Sequence, residues 1–182
     1  MFRYGTTFVI GAGASAEFAM PVGTELAGLI QHSALLANLG SRDPKVGDET
    51  LYANFSRLWP RTNMDSRKLA LTALSTINKG IHTAVSIDAF IDRFSDDPYI
   101  TQLGKMLIAL EISKAERESS LSDEHWQVLR ENPKADIKNK YGKKLVNPDD
   151  TWLGHFFRIL CDGVRNPMEL GNNIRIICFN MG

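Results

Sequence analysis

The chain has 182 residues, 43% of them hydrophobic, with 21 Lys and Arg against 21 Asp and Glu and a formal charge of zero. That length suits a single domain, and the balanced charge argues against a protein that coats nucleic acid or an acidic membrane through its global field. The apolar fraction excludes wholesale disorder, and two cysteines, Cys161 and Cys178, make no disulfide framework and fit a reducing compartment.

Thr6-Thr7-Phe8-Val9-Ile10 is β-branched and aromatic without polar alternation, which predicts a strand buried within a parallel sheet. Gly11 stops it, and a helix is expected from near Ser15 to the break at Pro21-Val22-Gly23. A second helix is expected over about 24–38, followed by a loop at 40–48. Leu51, Phe55 and Leu58 mark a helix that Pro60 ends. Asp65 is placed to cap a helix carrying Leu69, Ala73, Leu74 and Ile77. Ser86 caps one with Ile87, Phe90, Ile91 and Phe94, and Asp97-Pro98 opens one with Ile100, Leu103, Leu107 and Leu110. Asp123 begins a short helix with Trp126 and Leu129. Residues 132–150 are polar and turn-rich, and their cluster Lys134, Lys138, Lys140, Lys143 and Lys144 is expected to be a solvated loop. Thr151 caps a last helix bearing Trp152, Phe156, Leu160 and Val164, of which Trp152, Phe156 and Leu160 read as core, and Ile174-Arg175-Ile176-Ile177-Cys178-Phe179 is the second strand.

These elements predict an α/β fold, mostly α by content. It comprises an incomplete Rossmann-like parallel sheet of strands at about 6–10 and 174–179, with a large helical insertion at 24–166, all within one domain over 1–182. Each strand is too short to satisfy its backbone alone, so the two are expected to pair in parallel. A two-stranded sheet is a poor core, so the domain is expected to be C-terminally incomplete, or completed by another chain or by a homo-oligomer. No apolar stretch approaches the roughly 20 residues of a spanning helix, and residues 8–10 are too short for the apolar core of a signal peptide. A cytoplasmic protein is expected, with neither a membrane nor nucleic acid as partner.

Gly11-Ala12-Gly13-Ala14-Ser15-Ala16 follows a strand and opens a predicted helix, in the G-x-G-x-x-A pattern of a dinucleotide loop. The first glycine would permit a tight turn, the second would let the backbone approach a pyrophosphate, and the small third residue would let helix and strand pack closely. The helix N-terminus would offer free N–H groups to phosphate. A glycine turn with no ligand is the simpler alternative. The ordinary dehydrogenase pattern fails, because no acidic residue lies between Glu25 and Asp43 to hold a ribose. Ser15 lacks the closing glycine of a nucleophile elbow, and no P-loop is present. The four histidines, at 32, 82, 125 and 155, have no metal-site spacing, so no metal is expected.

Gly11-Ala12-Gly13-Ala14-Ser15, Met20-Pro21, Ser86-Ile87-Asp88-Ala89-Phe90 and the strand end Ile177-Cys178-Phe179-Asn180 together resemble the sirtuin-like NAD-consuming family, in particular its bacterial antiphage-defence members. The resemblance implies that Gly11, Ala12, Gly13, Ala14 and Ser15 cradle the pyrophosphate and nicotinamide ribose of NAD. Pro21, at the downstream apolar-proline step, would belong to the same cofactor-binding set, and Asn180 would contact the ribose and act in catalysis. It implies NAD or ADP-ribose as ligand and cleavage of the nicotinamide–ribose bond as the activity of the complete form, in antiviral defence. Gly182 stands where the family has an aspartate, and no histidine follows Asn180. The chain as it stands is therefore expected to be truncated before the catalytic histidine and inactive. The alternatives are a non-catalytic nucleotide sensor and a helical protein-interaction module.

Overall fold

A computed structural model describes residues 4–36 and 47–179. The order is β1 (Thr6–Gly11), a 3₁₀ segment (Ala12–Phe18), α1 (Gly23–Ser33), α2 (Glu49–Leu58), α3 (Met64–Gly80), α4 (Ile87–Arg93), α5 (Pro98–Arg117), α6 (Asp123–Glu131), α7 (Trp152–Cys161) and β2 (Ile174–Phe179). The protein is mostly helical with a small parallel sheet, as expected for this α/β reading. Among the described residues no helix is long and apolar enough to cross a membrane.

The chain divides into two compact units, 23–114 and the two flanking stretches 4–22 and 115–179. The boundary falls inside α5. The first of these is a helical unit whose core follows the predicted periodicities. Leu26 and Ile30 of α1, Leu51 and Phe55 of α2, Phe90 of α4, and Ile100, Leu103 and Leu107 of α5 are all buried together. On α3 the buried apolar residues are Ala70, Ala73, Leu74 and Ile77, whereas Leu69 is 53% exposed. The small Ala70 takes the inward position, a phase that apolar content alone does not reveal.

Caps set the helix starts. Ser86 Oγ accepts from Ala89 N at 3.1 Å, and Asp97 Oδ1 from Tyr99 N at 2.8 Å and Ile100 N at 3.1 Å, as their sequence positions require. Asp65 does not cap α3. Asn63 Oδ1 does, accepting from Ser66 N at 3.2 Å, and Asp65 lies in the first turn, where its charge suits the helix dipole. The α1 helix ends at Ser33 rather than near 38, and most of the expected loop at 40–48 lies outside the described residues. Two contacts then lock α1 to α3: Asn78 Nδ2 donates to Gln31 O at 2.7 Å, and Gln31 Nε2 to Asn78 O at 3.0 Å.

In the other unit β1 and β2 pair in parallel, in a register running from Thr6↔Ile174 to Gly11↔Phe179. The prediction of buried strands is corrected. Val9 is 64% exposed and its register partner Ile177 is 46% exposed, because no helix or strand among the described residues covers that face. A bare apolar face beside unpaired strand edges promotes association. The purified protein is expected to show an apparent mass by light scattering that rises with concentration, and Ile177→Lys to reduce that rise. A constant monomer mass for the unaltered chain would contradict the expectation.

Four of the five clustered lysines are exposed, as expected of a solvated loop, and Lys143 is half-buried. Lys138 bridges antiparallel to Lys144, and Leu145 N donates to Ile137 O at 2.8 Å, which folds the segment back on itself and buries Leu145. Lys140 pairs with Glu118 at 3.1 Å, Lys144 with Asp136 at 3.3 Å, and Lys143 Nζ donates to Met20 O at 3.2 Å. Three of the five cations thus have partners within the unit.

Candidate functional site at the end of the parallel strands

Parallel pairing brings both strand carboxyl ends to one edge, and there Gly11 lies opposite Phe179. Asn180, the next residue in sequence, lies outside the described residues. Gly11 is not a tight turn: its φ of −97° and ψ of 171° are extended, open to any residue. Neither Gly11 nor Gly13 is among the glycines with positive φ, and a Cβ built on either meets no atom within 4 Å. Backbone conformation and packing therefore leave both glycines unexplained. What they share is open space in front of the main chain, at the sheet edge where ligands bind in open α/β folds.

The segment after the strand is a seven-residue 3₁₀ helix, Ala12–Phe18, and not an α-helix starting near Ser15. It thus lacks the aligned dipole of a long α-helix, and any anion here would rest on individual N–H groups. The segment ends where Ala19 turns left-handed at φ 65° and its N–H donates to Ala16 O at 3.1 Å. Phe18 O then accepts from Ser120 N at 3.0 Å, and the chain passes Met20 to reach Pro21, which is half-buried.

The loop is braced by a residue more than a hundred positions away. Trp152, the first residue of α7, donates its indole Nε1–H to Ala14 O at 2.8 Å and its backbone N–H to Glu17 Oε2 at 3.0 Å. Thr151 occupies the N-cap position, but its hydroxyl donates to Pro148 O at 2.6 Å instead of capping. The Glu17 carboxylate serves the α7 N-terminus in its place, and charge and dipole agree there. The pairing of Glu17 with Trp152 has no sequence signature. Trp152→Phe is expected to cost roughly 1 kcal/mol, by leaving Ala14 O without its donor, and to speed amide exchange over residues 12–16. Unchanged exchange would deny the brace.

Trp152 and Phe156, expected in the core, are only half-buried. Phe156 packs edge-on to Phe8 with ring centroids 4.8 Å apart, and Trp152 does so to Phe18 at 6.4 Å. Between these rings and the strand lies a cavity of about 270 Å³, lined by Phe8, Val9, Ile10, Gly11, Ala14, Trp152 and Phe156. It opens beside the glycine loop and, among the described residues, holds no titratable side chain. Its size and its aromatic walls suit one flat ring. Pro21 is not among its lining residues.

The histidines are elsewhere: His125 Nδ1 lies 3.0 Å from both Ser122 Oγ and Ser119 O at the start of α6, and His155 Nδ1 lies 3.1 Å from Arg158 on exposed α7. Among the described residues no group of three or more His, Cys, Asp or Glu could hold a metal ion, and both cysteines are free and exposed. No family model matches the chain, and neither a curated protein nor a solved structure matches it.

Proposed function

We propose that the chain carries a Rossmann-like nucleotide site of sirtuin type at the carboxyl ends of β1 and β2, and that its ligand is NAD or ADP-ribose. One observation carries the reading: Gly11 and Gly13 stand with open space before them at that edge, and neither conformation nor packing accounts for their being glycine. Gly11, Ala12, Gly13, Ala14 and Ser15 would hold the pyrophosphate and ribose, through N–H groups that a side chain at Gly13 would obstruct. Asn180 takes its proposed ribose contact and catalytic role from the family resemblance. As substrate, NAD would supply the nicotinamide–ribose bond to be cleaved, in an antiviral NAD⁺ hydrolase.

The apolar lining of the adjoining cavity favours a second reading, a nucleotide sensor that binds without turnover. Acid–base chemistry needs a titratable group within hydrogen-bond reach, and among the described residues the cavity wall has none. Calorimetric titration with ADP-ribose and NAD, together with proton NMR of free nicotinamide, separates the possibilities. Binding without release is the result expected of this chain and supports the nucleotide site. Nicotinamide release would support the hydrolase and overturn the expectation of inactivity, and absence of binding overturns both readings.

A further inference from the structure

Helix α7 is apolar around most of its circumference, with Trp152, Leu153, Phe156, Phe157, Ile159 and Leu160, yet none of its residues is buried. Helices of that character are ordinarily enclosed. Trp152 and Phe156 face the cavity by the glycine loop. Leu153, Gly154, Phe157 and Arg158 line a second one of about 720 Å³, completed by Trp126 of α6 and by Pro148 and Asp149 of the turn before α7. That volume lies within the range of about 300–1,000 Å³ of small-molecule sites. Two aromatic side chains are left uncovered there, Trp126 at 37% exposure and Phe157 at 55%.

The polar groups of this cavity are specific. Gly154 is required by packing, since a Cβ there would run into the Asp149 backbone, so helix and turn meet main chain to main chain with no slack. Arg158 is held in one orientation: Nη2 donates to Asp149 O at 2.7 Å and lies 3.1 Å from His155 Nδ1, and Nε donates to Gly154 O at 3.3 Å. The guanidinium touches the Asp149 carbonyl and not its carboxylate. Among the described residues neither Arg158 nor Asp149 has an ion-pair partner. The cavity therefore combines aromatic walls with one unneutralised cation and one unneutralised anion.

A ligand that complements both charges and the walls is a zwitterion with an aromatic body. We propose that this cavity binds an aromatic α-amino acid, with its ring on Trp126 and Phe157, its carboxylate on Arg158 and its ammonium on Asp149. The proposal uses no residue of the glycine loop and stands apart from the nucleotide reading.

The test is ligand-observed saturation-transfer NMR on the full chain with three probes: L-tryptophan, tryptamine, which lacks the carboxylate, and indole-3-propionate, which lacks the ammonium. L-Tryptophan is expected to bind about tenfold more tightly than either, the worth of one charge-assisted hydrogen bond. Phe157→Ala, at an exposed position, should abolish the transfer without altering circular dichroism. Arg158→Gln should erase the preference over tryptamine, and Asp149→Asn the preference over indole-3-propionate. Equal binding of all three probes, binding of none, or binding unmoved by Phe157→Ala would overturn the proposal.

Discussion

Replacing Gly13 by valine is expected to abolish calorimetric binding of NAD and ADP-ribose, weakening it at least about a hundredfold, or near 3 kcal/mol. The substitution is clean in structural terms. A Cβ at Gly13 meets no atom within 4 Å among the described residues, and the residue does not have positive φ, so the fold accepts a Cβ there. Among the described residues nothing stands at that Cβ position, so the branched group acts against whatever approaches the loop from outside. The melting temperature should therefore hardly move while binding disappears. Equal affinity in Gly13→Val would remove the nucleotide from this loop.

The largest effect on stability is expected for Glu111→Ala. Glu111 is almost fully buried on α5, and its Oε1 accepts from Ser33 Oγ at 2.6 Å and from Lys114 Nζ at 2.6 Å. Lys114 also pairs with Asp48 Oδ2 at 2.6 Å, and Asp48 caps α2 by accepting from Leu51 N at 2.8 Å. One carboxylate thus joins the end of α1 to α5 and, through Lys114, to the start of α2. Removing it strips Ser33 and Lys114 of a buried partner, a loss of roughly 3 kcal/mol measurable by urea unfolding. Burial alone would raise the Asp48 carboxyl, but the bonds from Lys114 and Leu51 outweigh it and hold it below its usual 3.8. Burial alone would lower Lys114, but Asp48 and Glu111 outweigh it and hold it above its usual 10.5. The Asp48 contribution is therefore present above pH 3.8 and lost as pH falls through its lower folded value. The Lys114 contribution is complete below pH 10.5 and lost as pH rises through its higher folded value. The contribution of this pair should be constant between these limits. Glu111→Ala should move the alkaline limb down in pH and leave the acid limb nearly in place. An unchanged alkaline limb would show that Lys114 does not depend on Glu111.

What was legible from the chain was periodic or local. The i, i+3, i+4 spacing of Ile87, Phe90 and Ile91, and the Asp97-Pro98 start, depend on neighbours within one turn, and the helices formed there. The parallel pairing of the two ends was legible for another reason: two apolar runs with unsatisfied backbones had no other partner of their kind, and they meet in one register. The exposure of Val9 and Ile177 was not legible, because apolar character states what a strand would bury and not whether anything covers it. Glu17 serving α7, and Asn139 turning the lysine segment by accepting from Tyr141 N at 3.0 Å and Lys143 N at 2.9 Å, depend on tertiary placement that spacing does not encode. Gly11 was expected to turn and is extended, since the reversal is carried by the 3₁₀ segment that follows.

The site claim rests on the edge where Gly11 meets Phe179, and residue-resolved amide shifts test it most directly. In a nitrogen-15 NMR titration with ADP-ribose, the largest shifts are predicted at residues 11–15 and at Phe179, with Trp152 indole N–H following through its bond to Ala14 O. Shifts confined to the helical unit at 23–114, or none at saturating ligand, would contradict the account.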